Sequence, residues 1–271
     1  MYADPDSFKH AQSSCSGWKP KLFKYSYVYP NQKNGKTLPF ILLENKNILG
    51  WRKYKANQLF GWLSESSLII EKTISLICKH LNELESKFCK IFTSDERLLA
   101  MSPCFEAAPN GSTLPWVKPL PKNFQKTWLL SIIASIKNDT EGHHLRNQAI
   151  PTYQPLDVFG RGRNEINKKE EALWPYHFSI CIENASYSKY FTEKITDCFA
   201  SKTVPIYWGN PKIDEDFDQR GILAFPETSR NSLTIELYNK LLPHVENNYQ
   251  KVLNLELPDD IIYKKIKRLL R

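Results

Sequence analysis

The sequence predicts an α/β protein with two domains, each built on a largely parallel sheet, and three observations predict it. Residues 177–208 read as strand, loop, helix and strand, which is a βαβ unit. Short apolar runs alternate with stretches of helical periodicity along most of the chain. Several strand ends lead into polar, basic or glycine-rich loops, the place where such sheets gather functional groups.

The elements follow in order. Residues 23–29 and 38–43 alternate loosely between apolar and polar side chains, and residues 60–65 form another short strand ending in a turn. Residues 67–88 have helical spacing, with Ile70, Ile74, Ile77, Leu81 and Leu84 on one face. Residues 90–93 return to a strand, and Ser94-Asp95-Glu96 caps a helix running to Leu99. Residues 103–121 are dense in proline and contain Asn110-Gly111, so they read as loop and as the crossing between domains. The boundary falls near residue 122, giving domains of 1–121 and 122–258. Residues 126–136 then form a buried strand, a polar loop leads into a helix from about Gly142, and Asp157-Val158-Phe159 ends in the turn Gly160-Arg161-Gly162. In the βαβ unit, residues 177–182 and 203–208 are strands, and Thr192 caps the helix that Glu193 and Lys194 open. Residues 259–271 form a basic amphipathic tail. Ile262, Ile266, Leu269 and Leu270 lie on one side of its helical wheel, with Lys264, Lys265, Lys267, Arg268 and Arg271 on the other. Such a tail either docks on the body or makes a peripheral contact with an anionic membrane. Disorder is expected only over about the first fifteen residues.

Composition narrows the function classes. A chain of 271 residues has room for two cores, and 41% hydrophobic with 13% aromatic residues excludes a disordered chain. The net charge of +8 favours an anionic partner, but the basic residues are spread out and carry no RNP, zinc-finger or helix-turn-helix signature, so nucleic acid is set aside. Six scattered cysteines with no Cys-x-x-Cys pair read as reduced thiols, not as zinc ligands or a redox dithiol. The longest apolar stretch, residues 128–136, is too short to span a bilayer, and no signal segment precedes it. The expectation is a cytoplasmic protein, peripheral at the inner membrane face only if the tail does not dock on the body.

The strand-end loops carry the candidate chemistry. The first amides of a helix opening at Glu193 point into the crevice at the strand ends, where the helix dipole and free N–H groups favour a phosphate. Gly160 and Gly162 bracket Arg161, letting backbone approach a ligand while the guanidinium offers forked donors to phosphate oxygens. Lys137, Arg146 and Lys194 complete a pyrophosphate clamp, with surface charge as the alternative for each. Glu183 and Glu193 stand where a carboxylate accepts hydrogen bonds from ribose or sugar hydroxyls, although Glu193 also suits a capping role. Asp214-Glu215-Asp216 has the outward form of a metal-holding Asp-x-Asp, but it follows a proline turn and reads more simply as a solvated loop. His143 and His144 are adjacent and do not face the same way, so no metal is expected.

In order and spacing, Phe178, Glu183-Asn184, Tyr190-Phe191-Thr192-Glu193-Lys194 and Val204-Pro205-Ile206-Tyr207-Trp208-Gly209 resemble the α-1,3-fucosyltransferases, glycosyltransferase family ten. Weaker similarity extends upstream through Asp157 to Arg161, Gly142 to Arg146 and Phe92-Thr93 to Trp62-Leu63-Ser64-Glu65. The resemblance implies a GT-B fold of two facing Rossmann-like domains with the active site in the cleft between them. It implies an inverting transfer of fucose from GDP-fucose to a hydroxyl of a glycan acceptor, with no metal or other cofactor. Arg161, Tyr190, Glu193 and Lys194 would hold the phosphates and ribose, Asn184 would support the pocket, and Arg146 would be a second phosphate ligand. Glu65, in the acceptor-side first domain, would be the general base, with Glu44 and Glu71 as competitors. The chain resembles the soluble bacterial type of this family. A different GDP-sugar donor, or a silent glycan-binding module that kept the fold, are the alternatives.

Overall fold

The computed structural model describes residues 1–4, 20–29 and 37–271 and divides into two units, Met1–Ser112 with Glu256–Arg271, and Thr113–Leu255. In the first unit, six strands pair in parallel in the order β2-β1-β3-β4-β5-β6. They are β1 (Tyr2–Ala3), β2 (Ser26–Tyr27), β3 (Leu38–Glu44), β4 (Ala56–Trp62), β5 (Phe88–Thr93) and β6 (Phe105–Ala107). Successive side chains of a strand point to opposite faces, and both faces here are covered. Ile41, Leu43, Leu59 and Ile91 enter one core cluster, while their neighbours Leu42, Phe60 and Phe92 enter another.

The expected helix over 67–88 is two helices, α1 (Glu71–Lys79) and α2 (Leu81–Lys87), because His80 leaves helical geometry at φ −107, ψ 19. The break lets Phe88 turn into β5 opposite Leu59, where a continuous helix would have carried it past the sheet. A third helix, α3 (Glu96–Met101), is capped by Asp95, one residue beyond the leading serine of the expected cap. Residues 105–107 were expected as loop; they form β6 because Phe105 is buried against this core despite the surrounding prolines. Of the segment expected to be disordered, Tyr2–Ala3 forms β1 and Ala3 is fully buried, while residues 5–15 lie outside the described residues.

The second unit holds β7 (Trp128–Ile133), α4 (Glu141–Thr152), β8 (Asp157–Phe159), α5 (Glu170–Leu173), β9 (Tyr176–Ile182), α6 (Glu193–Ala200), β10 (Val204–Trp208) and β11 (Leu223–Ala224). The strands are parallel in the order β11-β10-β9-β7-β8. The chain moves outward from β7 to β8, then returns to the other side of β7 and proceeds through β9, β10 and β11. This reversal makes the carboxyl ends of β7 and β9 a topological switch point, where a crevice opens in sheets of this kind. Phe178, Ile180, Ile195, Phe199, Val204 and Ile206 are fully or almost fully buried beneath it. A long helix that the sequence reading did not assign, α7 (Ile235–Leu253), is capped by Thr234 and covers part of this core through Val245 and Val252.

The last helix, α8 (Pro258–Leu269), belongs to the first unit and is not a free tail. Ile262 and Ile266 are fully buried with Ala3, Leu42, Phe60, Trp62 and Phe92. Asp260 accepts hydrogen bonds from the backbone N–H of Lys21 and Leu22, and the Tyr25 hydroxyl donates to Asp259. Most of the apolar face that suggested lipid contact is thus spent on a protein core. Among the described residues, no helix is long and apolar enough to cross a membrane.

Candidate functional site

At the switch point, β9 is followed by Glu183-Asn184 and two helix N-termini come to it. Thr192 opens α6, its hydroxyl accepting from Lys194 N, and Thr140 opens α4 by accepting from His143 N. Gly142, in the first turn of α4, lies so close to β9 that a Cβ there would sit 1.7 Å from the Glu183 carbonyl oxygen. Its N–H donates to Asn184 O at 3.3 Å. Both helices therefore aim their dipoles toward the same strand end, which favours negative charge there.

Glu183 was expected to meet a ligand, but its side chain is fully buried and its oxygens are occupied. They accept from Thr192 N at 2.8 Å, Thr192 Oγ1 at 2.7 Å and Lys194 Nζ at 3.2 Å. The residue staples β9 to the start of α6. A buried carboxylate must be compensated in this way, since an unpaired one costs several kcal/mol.

Lys194 Nζ is also 2.9 Å from Thr192 Oγ1 and 3.8 Å from Glu193 Oε1, and its side chain keeps 25% exposure. Glu193 is nearly buried and is bound from the other side by Lys169 Nζ at 3.2 Å, which reaches Asp197 at 2.7 Å as well. Arg146 is not a surface charge. It is buried one turn into α4, donating through Nε and Nη2 to Ile182 O at 3.0 and 2.6 Å and through Nη2 to Asn184 Oδ1 at 2.8 Å. Tyr190 is buried and stacked on Tyr187 at 4.6 Å between ring centroids. Gly209, which ends the strand-β10 motif, has to be glycine, because a Cβ would meet Tyr207 Oη at 2.4 Å and Glu183 Cγ at 2.6 Å.

The structure therefore brings Arg146, Asn184, Tyr190, Glu193 and Lys194 to one strand end. Arg161 stands apart from them, exposed at the end of β8, with β7 between β8 and β9. The strand-end turn around it is strained in the way glycine permits: Gly160 has φ +132 and Gly162 has φ +77. Lys137 is exposed on the loop after β7, and Arg163 pairs with Asn147 on the surface. Lys169 and Asp197 were not anticipated. The available signal was the spacing of Glu193 and Asp197, which puts two carboxylates on one helix face and calls for a cation.

In the first unit, Glu65 is half-buried in a bend beyond β4, between the buried Ser64 and Ser66. Ser64 N donates to Asn45 Oδ1 at 3.1 Å, and the Ser64 hydroxyl donates to Glu44. Glu44 is enclosed at 6% exposure, and Glu71 pairs with Arg97 at 3.2 Å.

Residues 122–220 match the model of the C-terminal domain of glycosyltransferase family 10, the fucosyltransferases, so the resemblance read from the motif is borne out over that segment. The α-(1,3)-fucosyltransferase FucT of Helicobacter pylori is 33% identical over 109 residues, 39% of this chain and 23% of that protein. The match thus spans about a quarter of that relative's length. The crystal structure of an α1,3-fucosyltransferase superposes with a TM-score of 0.53 over 99% of this chain and 87% of its own, at 16% identity. This likeness bears out the expected GT-B fold. A structure of an α1,3-fucosyltransferase with GDP gives 0.48 over 90% of this chain and 80% of that one, at 19% identity.

Proposed function

We propose, on the premise that residues 122–220 are a family 10 fucosyltransferase C-terminal domain, that the chain transfers fucose from GDP-fucose to a hydroxyl of a glycan acceptor. The observation that carries this reading is the seat at the β9 end. Lys194, Arg146 and two helix N-termini gather there inside the segment that matches the family.

In an inverting transfer, the acceptor oxygen attacks C1 of the sugar as its proton passes to a carboxylate, the C1–O bond to the diphosphate breaks, and GDP leaves with the electron pair. Glu65 is the candidate base. It is the least committed of the three carboxylates considered, since Glu44 is enclosed and Glu71 is engaged with Arg97. Charge developing on the leaving diphosphate would be met by Lys194, Arg146 and the helix dipoles, with Arg161 closing from its glycine turn. Glu193 would accept hydrogen bonds from ribose or sugar hydroxyls, with Tyr190 and Asn184 shaping the pocket. Every step is supplied by side chains, and no metal is invoked.

The test is donor binding and turnover. GDP should bind by calorimetry, Glu193→Gln and Lys194→Met should weaken that binding, and Glu65→Gln should abolish turnover while sparing it. No binding of GDP or GDP-fucose by the native chain would sink the reading. Competition by GDP-mannose as strong as by GDP-fucose would move the donor to another sugar. A membrane contact would rest mainly on the outward Lys264, Lys267, Arg268 and Arg271, with Leu269 as the exposed apolar side chain beside them, because Ile262 and Ile266 are buried. Sedimentation with anionic vesicles should then disappear at high salt.

A further inference from the structure

We propose that Lys169 is a positioning residue for the donor site, sharing Glu193 with Lys194 so that Lys194 has one close carboxylate partner, Glu183, and not two. The inference rests on the reading of Glu193 and Lys194 as donor ligands. The geometry behind it lies wholly within the second unit.

Lys169 precedes α5 and sends its ammonium to α6, where Glu193 Oε1 is 3.2 Å away and Asp197 Oδ2 is 2.7 Å away. On another side the ammonium lies over the Trp116 ring, 4.2 Å from its centroid. The cation is thus fixed by three partners, two of them a helical turn apart. Asp197 is the anchor: it is 1% exposed and also accepts from Trp116 N at 2.6 Å and Val117 N at 3.0 Å. Burial alone would push the Lys169 ammonium down, but the charges of Asp197 and Glu193 more than reverse that and hold it protonated.

Glu193 Oε1 consequently lies between two ammonium groups, Lys169 at 3.2 Å and Lys194 at 3.8 Å. The nearer and more rigid cation holds it. Without Lys169, Glu193 loses its nearer ammonium, and the Lys194 ammonium, already 3.8 Å from the same Oε1, is the neighbour it can close on. The carboxylate would close on Lys194, giving it a second close carboxylate beside Glu183 and drawing it from its seat on Thr192, so that the cluster carries excess negative charge where a diphosphate would bind. Lys169 touches neither phosphate nor sugar in this account and acts through the carboxylate.

The experiment measures GDP binding by calorimetry and steady-state kinetics with GDP-fucose for the native chain, Lys169→Met, Lys169→Arg, Glu193→Gln and the Lys169→Met/Glu193→Gln double variant. Lys169→Met is expected to weaken GDP binding and raise the donor KM about tenfold, with kcat changed less. Lys169→Arg should recover most of the loss. In the Glu193→Gln background, where residue 193 has no carboxylate to close on Lys194, Lys169→Met should change binding by less than about twofold. Native-like GDP binding by Lys169→Met, or an undiminished effect in the Glu193→Gln background, would overturn the proposal. If Lys169→Met does not fold, judged by circular dichroism, Lys169→Met/Asp197→Asn removes the stranded charge and takes its place with the same expectations. Failure of the native chain to bind GDP would instead sink the donor-site reading on which this rests.

Discussion

Replacing Gly142 by alanine tests whether the docking of α4 on β9 builds the site. The new methyl carbon would meet Glu183 O at 1.7 Å, Glu183 C at 2.8 Å and Asn184 Cα at 2.9 Å, all of them backbone atoms that cannot turn aside. A contact of that kind needs a little over 3 Å, so the helix start has to withdraw by roughly 1.5 Å. Overpacking of this severity costs about 3 kcal/mol, and loss of the Gly142 N to Asn184 O bond adds about 1. Alanine's better helix propensity returns about 1, leaving a net loss near 3 kcal/mol. Arg146 lies one turn further along the same helix and moves with it, leaving Ile182 O and Asn184 Oδ1, so GDP affinity should fall at least about tenfold. The assay is a urea midpoint together with GDP calorimetry. Gly50→Ala serves as control, since a Cβ there meets nothing closer than Lys53 Cδ at 3.9 Å, and it should stay within about 0.5 kcal/mol. A Gly142→Ala protein with native stability and native GDP affinity would refute the idea that this close approach positions Arg146.

Three further outcomes are expected. Glu183→Gln loses charge-assisted bonds to Thr192 and Lys194 and should destabilise by about 2 kcal/mol while weakening GDP binding; unchanged values for both would mean that the staple is idle. Glu44 is pushed well above the ordinary glutamate value of 4.5 by burial, to which the charges of Glu65, Asp259 and Asp4 add. Its neutral form is the one the fold favours, so its contribution is present below 4.5 and is lost as pH rises through the shifted value. Glu44→Gln should therefore raise the unfolding free energy from urea titration at pH 8 by at least about 1 kcal/mol and leave it unchanged at pH 4; equal effects at both would dismiss the titration. Ile266→Ala should cost about 2–5 kcal/mol if α8 is part of the first core, and a loss under about 0.5 would detach it.

The second unit was largely legible because its signals are local. Thr192 followed by Glu193 and Lys194 sits within one helical turn, and the strands on either side alternate or run apolar, so the βαβ unit is where it was expected. Contacts between distant residues were not legible. Spacing places Glu183 at a strand end but cannot tell whether its carboxylate faces a ligand or turns inward to Thr192, nine positions on. Lys169 and Glu193 are 24 positions apart in a region with many lysines. Gly142 reads as a turn former, whereas its actual constraint is the approach of β9 backbone, which belongs to another part of the chain. In the first unit, the helix break at His80 has no glycine or proline to announce it, and β6 hides among prolines. The membership of α8 in that unit depends on pairs such as Lys21 with Asp260, 239 residues apart.

That last separation has a consequence for the order in which the chain acquires structure. The second unit is one continuous stretch, Thr113–Leu255, and its core can close as soon as that stretch has left the ribosome. The first unit begins earlier yet finishes later. Its cluster of Ala3, Leu42, Phe60 and Phe92 lacks Ile262 and Ile266 until residues 256–271 emerge, so that face of the sheet waits without two fully buried members while an entire domain is made. Chains halted before residue 262 would carry a finished second unit joined to an incomplete first one, and that sheet face is where a chaperone or a protease would act.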